Sequence, residues 1–173
     1  MTTFSTKLAA LSFGVVFAAS GAIAQTMKID KGDADLLQDM ARANIAEIEA
    51  GKLASEKARD PRVKKFAQMM VADHTKGLAE VKLVATAKGV ELPTSPDALH
   101  KAAALEFKAL RGDTFDSRYI SQAGIGDHEA TEKLLEKTQA VAKDPDVKAL
   151  AVKLLPVVQA HLGHAREMAD IKK

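Results

Sequence analysis

The segment Ala58-Arg59-Asp60-Pro61-Arg62-Val63-Lys64 returns later in the chain as Ala142-Lys143-Asp144-Pro145-Asp146-Val147-Lys148, and Ala67 and Ala151 extend the match. Asp before Pro is a helix-start signal. The Asp side chain caps the new helix, and Pro suits its first turn, where no backbone N–H is needed. Each copy is flanked by apolar residues at three- and four-residue spacing, so each marks a tight turn between two amphipathic helices. The chain is therefore expected to fold as two similar helical hairpins. Ala, Leu, Lys and Glu dominate the composition, and no run of alternating β-branched residues suggests a sheet.

The expected helices run roughly from Asp33 to Arg59, Pro61 to Lys88, Phe115 to Lys143 and Pro145 to Ile171. Gly89 stops the second. Gly124 and Gly126 weaken the third, and Pro156 is expected to kink the fourth. The connector, about residues 89–114, is long for a bundle turn. Ser95-Pro96 is expected to open a shorter helix there, with Ser as the cap, ending near Gly112. Such a helix can run along the bundle as a crossover.

Residues 1–24 read as a secretory signal peptide. Lys7 precedes an apolar, small-residue run from Leu8 to Ala24 that has no acidic residue, and Ala22-Ile23-Ala24 is an A-x-A cleavage site. The run is short and rich in Ala, Gly and Ser, which argues against a retained membrane anchor. The mature protein is then expected to begin at Gln25, with a tail to residue 32 and a single bundle domain over 33–172. It is expected to be soluble after signal removal, and periplasmic or secreted. The chain has no cysteine, hence no disulfide and no lipoprotein thiol. Its formal charge of +2, with one Tyr and no Trp, gives no case for nucleic acid binding.

Polar residues interrupt the apolar stripes at one depth. Glu47 lies thirteen residues before Asp60, and His74 thirteen after Pro61. His128 lies sixteen before Asp144, and His161 sixteen after Pro145. At 1.5 Å per residue these are about 20 Å and 24 Å from their turns, near the middle of helices about 40 Å long. His164 is one turn beyond His161 and can join them. Neutral imidazoles with a carboxylate suit one transition metal ion, such as Zn, Cu or Fe, so Glu47, His74, His128, His161 and His164 are the candidate ligands. The competing reading is metal-free: a buried hydrogen-bonded histidine layer that fixes bundle register in an envelope stress or interaction protein. Two facing histidines could also hold haem, although no thiol exists to attach it. Asp73 and Asp127 precede layer histidines and point about 100° away, as flanking residues. His100 is expected at the surface, and the methionines Met40, Met69, Met70 and Met168 as core filling. No Gly-x-Ser-x-Gly elbow or Cys nucleophile is present, so the sequence favours a non-enzymatic protein.

Glu47–Ala54 (EIEAGKLA), Val63–His74 (VKKFAQMMVADH), Gly89–Pro93 (GVELP), Phe115-Asp116 before Tyr119, His128, and Leu155-Pro156 before His161-Leu162 form a combined pattern over about residues 31–171. In it the chain resembles the bacterial exported family catalogued as domain of unknown function 4142. The resemblance implies export and an all-α, ferritin-like four-helix bundle built from two hairpins, with an extra short helix in the connector. It implies no assigned activity. Di-iron ferritin-like centres place Glu-x-x-His on two helices. Here Val71 and Val158 stand three residues before His74 and His161, so a ferroxidase centre is not expected.

Overall fold

The computed structural model describes residues 29–170, and these are helical throughout apart from their turns and connectors. The proposed signal peptide and its cleavage site lie outside them. In chain order the elements are α1 (Lys31–Lys57), α2 (Pro61–Ala87), α3 (Ala98–Ala109), α4 (Gly112–Tyr119), a π-helical segment (Ile120–Asp127), α5 (His128–Val141) and α6 (Pro145–Asp170). The helix winds on without a break from α4 through the π segment into α5, so four long helices form a bundle with α3 beside it. Among the described residues, no helix is long and apolar enough to cross a membrane.

The repeated turns form as their sequences dictate. The Asp60 carboxylate accepts from the Arg62 backbone N–H at 2.8 Å, and that of Asp144 accepts from Asp146 at 2.9 Å. A second pair of carboxylates, one from each hairpin, locks the other hairpin's turn. Asp116 of α4 accepts from the backbone N–H groups of Arg59 and Asp60, at 3.1 and 2.7 Å. Asp33 of α1 accepts from those of Lys143 and Asp144, at 3.1 and 2.7 Å. Both carboxylates are buried. The start of α4 therefore meets the end of α1, and the start of α1 meets the end of α5. The two turns lie at opposite ends of the bundle.

This geometry makes the connector a crossover. Its beginning touches α1 near that helix's start, where the Gln38 amide donates to the Glu91 carbonyl at 3.1 Å. Its end touches the far end of α1, where the Lys57 ammonium donates to the carbonyls of Phe107 and Lys108. Two expectations change here. The cap of α3 is Asp97, whose side chain accepts from the His100 N–H at 2.9 Å, and not Ser95. Gly112 opens α4 rather than closing α3. With φ at +57° it turns the chain sharply between the two helices, a conformation glycine adopts without steric cost. Gly89, at φ +66°, ends α2 in the same way, and the Val90 N–H bonds back to the Ala85 carbonyl. Pro156 sits inside α6, which continues through it. Pro156 and Val152 are both exposed, so the carbonyl left without a helical donor can face water.

The core divides into two clusters. One is aliphatic, built on Leu37, Met40, Val81, Leu135, Val147 and Leu150. The other is aromatic, with Phe66, Phe107, Phe115 and Tyr119 packed edge-to-face and stacked at centroid separations of 6.1–6.3 Å. The polar layer lies among residues of both. Removing either turn-locking carboxylate leaves two part-buried backbone N–H groups without their acceptor. Asp116→Ala and Asp33→Ala are each expected to lower unfolding stability by about 2–4 kcal/mol in urea melts, while Asp113→Ala, at the surface, stays within about 0.5 kcal/mol of the parent.

Candidate metal centre

His74 from α2, His128 at the start of α5 and His161 from α6 meet between the four helices, and each is at least 94 % buried. Their rings pack with centroids 5.3–5.4 Å apart. His74 Nε2 lies 3.3 Å from His128 Nε2, which lies 3.4 Å from His161 Nδ1. All three nitrogens fall within 4.8 Å of one another.

The opposite nitrogen of each ring faces an acceptor. His128 Nδ1 is 2.8 Å from the Ala123 carbonyl, five residues back. The backbone N–H of His128 bonds instead to Ile125, so the altered hydrogen bonding of the π segment leaves that carbonyl to the imidazole. His74 Nδ1 is 3.1 Å from Asn44 Oδ1, and the amide nitrogen of Asn44 donates to the Met40 carbonyl at 2.8 Å. His161 Nε2 is 3.3 Å from Asp73 Oδ2. Lys76, pairing with Asp73 at 3.0 Å, holds that carboxyl below its ordinary range, so it accepts as a carboxylate. An acceptor with no proton to give requires the ring to supply one. Each neutral ring therefore carries its N–H outward and turns its lone pair toward the other two.

Burial keeps the rings neutral. It pushes His74 well below the usual imidazole value, helped by the neighbouring rings, and lowers His128 to about 4. Burial also lowers His161, against the opposing pull of Asp73. Three lone pairs thus face one another in an apolar core with no proton between them. In a tetrahedral site with metal–nitrogen bonds of about 2.0–2.1 Å, the nitrogens stand about 3.3–3.4 Å apart. The two close separations match that spacing. Donating the second ring nitrogen to a carbonyl or carboxylate is also how proteins orient histidine ligands.

Two residues expected at the centre stand elsewhere. Glu47 is buried at the right depth, but its Oε1 lies 3.5 Å from His128 Nδ1, on the side of the ring that faces away from the other histidines. Neither of its oxygens has a hydrogen-bond partner among the described residues. Burial, with Asp127 nearby, drives its pKa well above the usual carboxylate value, so it holds its proton. Depth along a helix says nothing of which way a side chain points, and Glu47 points behind the triad. His164 is exposed and outside it. Three residues along α6 turn its ring about 60° from His161, far enough to reach solvent. Asp73, expected to flank, orients His161. His100 is half-buried, between Asp97 at 2.8 Å and Asp127 at 3.9 Å. Asn44 was not anticipated. It stands sixteen residues before Asp60, as His128 stands before Asp144, so extending the depth rule to uncharged polar residues would have found it. A haem has no place at the centre, since the cavity beside His74 is about 20 Å³, roughly one water molecule.

Gly77 and Gly124 let these groups come together. A Cβ on Gly77 would sit 2.6 Å from Asn44 Oδ1, and one on Gly124 would sit 2.9 Å from the Ala165 Cβ. The first glycine makes room for the amide that orients His74. The second lets α6 approach the π segment.

The neutral rings make the metal-free protein acid-sensitive. Unfolded histidine takes up a proton near pH 6.5, whereas folded His128 does so near 4. Between those values this ring is protonated only in the unfolded chain, so its contribution to stability falls as pH drops from about 6.5 to about 4, while Glu47, protonated in the fold, contributes in the opposite direction. His128 alone accounts for roughly 3 kcal/mol, and His74 and His161 act in the same direction. Urea melts of chelator-treated protein at about pH 7.5, above that window, and about pH 4.5, near its lower end, are expected to show His128→Gln losing less stability between the two than the parent does.

The fold is shared with solved structures of low sequence identity. A DUF305 fragment from Deinococcus radiodurans superposes with a TM-score of 0.74 at 10% identity, over 83% of this chain and 99% of that one. CopM in its Cu(I)-bound form gives 0.66 at 18% identity, over 80% and 95% of the two chains. CopM in its Ag-bound form gives 0.65 at 17% identity, with the same coverage. No curated protein matches this chain. The model of the family described as domain of unknown function DUF4142 matches residues 18–168, and the chain belongs to that family.

Proposed function

We propose that this chain is an exported, periplasmic or secreted protein that binds one transition metal ion through His74 Nε2, His128 Nε2 and His161 Nδ1. The observation that carries the reading is the convergence of three imidazole nitrogens whose outer N–H groups are already engaged by Asn44, Ala123 and Asp73. A donor set of neutral imidazoles, with no carboxylate oxygen among them, suits zinc and copper better than iron, whose non-haem sites favour a carboxylate beside two histidines. The Cu(I)- and Ag-bound forms of CopM, a protein of the same fold, are consistent with a copper-class cargo. The A-x-A site at Ala22–Ala24 supports export.

Binding to the folded state alone must stabilise the protein. At a metal concentration about 100 times the dissociation constant the gain is about 2.7 kcal/mol, or roughly 5–10 °C in Tm for a domain of this size. Untagged protein purified from its own envelope is expected to carry about one zinc, or at least about one copper, per chain by elemental analysis, and chelator to lower Tm by that amount. The His74→Ala/His161→Ala variant is expected to bind no zinc and, when offered zinc, to melt identically with and without chelator. Metal-free protein that stays metal-free at micromolar zinc or copper would instead leave the histidines as a structural layer. Gly77→Ala, which displaces Asn44, is expected to weaken affinity by about 10- to 100-fold while leaving the three ligands in place.

A further inference from the structure

We infer that a second, surface site for a soft monovalent cation, of the Cu(I) or Ag(I) class, is formed by His164, Met168 and Met69. The three side chains line one groove of about 410 Å³ between α2 and α6. His164 and Met168 are four residues apart on α6, so they share a face, and Met69 comes from the facing helix. His164 is exposed and has no hydrogen bond or ion pair among the described residues. Met69 and Met168 are half-buried against the aromatic cluster and line the groove. The two thioethers are soft donors, which select Cu(I) over hard divalent ions, and an imidazole suits copper beside them. The surrounding charges do not oppose a single positive charge. The guanidinium of Arg62 is taken up by Asp60 at 2.7 Å, and the charge of Lys65 on α2 is balanced by that of Glu167 on α6, which lines the same groove.

The site shares no side chain with the buried triad and does not rest on it. Met40 and Met70 are fully buried and serve as internal controls. With the mature chain labelled at the methionine methyl carbons, Ag(I) titration followed by NMR is expected to shift Met69 and Met168 saturably, and Zn(II) to leave both unmoved. His164→Ala, on an exposed position, is expected to weaken the response by at least the roughly tenfold that even an outer-shell partner is worth. The volume-conserving pair Met69→Leu/Met168→Leu is expected to reduce bound Ag(I) by one per chain, with the zinc response of the triad unchanged. Methyl signals that ignore Ag(I), or that respond with equal affinity in His164→Ala, would overturn the site.

Discussion

Three imidazole lone pairs held toward one another in an apolar core are costly in isolation, and much of the structure exists to hold them there. Each ring is fixed by a different device. An amide from α1 fixes His74, a backbone carbonyl in the π segment fixes His128, and a half-buried carboxylate from α2 fixes His161. The carboxylate in turn is held by Lys76, and the amide by the Met40 carbonyl. Such layered orientation costs conformational freedom and gives the bundle no hydrophobic gain. A cation placed among the nitrogens would turn the repulsion into attraction, which is the physical content of the metal assignment.

The bundle supplies the stiffness this needs. Asp33 and Asp116 each lock the turn of the opposite hairpin, so the helices cannot slide along one another without stranding backbone donors. The π segment meets the same demand from within a helix. Asp33 lies twenty-seven residues before Asp60, and Asp116 lies twenty-eight before Asp144. The second hairpin thus has one residue more between the same two ends, and a π segment is how a continuous helix takes up an extra residue. That extra residue resets the phase of α5 and brings His128 to the centre.

Much of this was legible before any coordinates. The repeated Asp-Pro segments specify the hairpins because capping and proline geometry are local. The depth of His74, His128 and His161 is legible because helical rise is constant. Direction around the helix axis is less so. Glu47 sits at the expected height behind His128, and His164 turns out to solvent, because side-chain direction depends on helix phase and tilt that spacing alone does not supply. Nothing in the local sequence marks Asp33 and Asp116 as buried turn locks. Their burial follows from which helix end meets which turn, a tertiary fact set by the crossover.

The tautomers of the three histidines in the metal-free protein test the account most directly. Long-range proton–nitrogen correlation spectra near pH 7.5, about one unit above the free imidazole value, read them ring by ring. The account predicts neutral rings, with the proton on Nδ1 of His74 and of His128 and on Nε2 of His161. A proton found on Nε2 of His74 or His128, or a doubly protonated ring, would mean that the layer is hydrogen-bonded within itself, and would contradict a centre built to receive a cation.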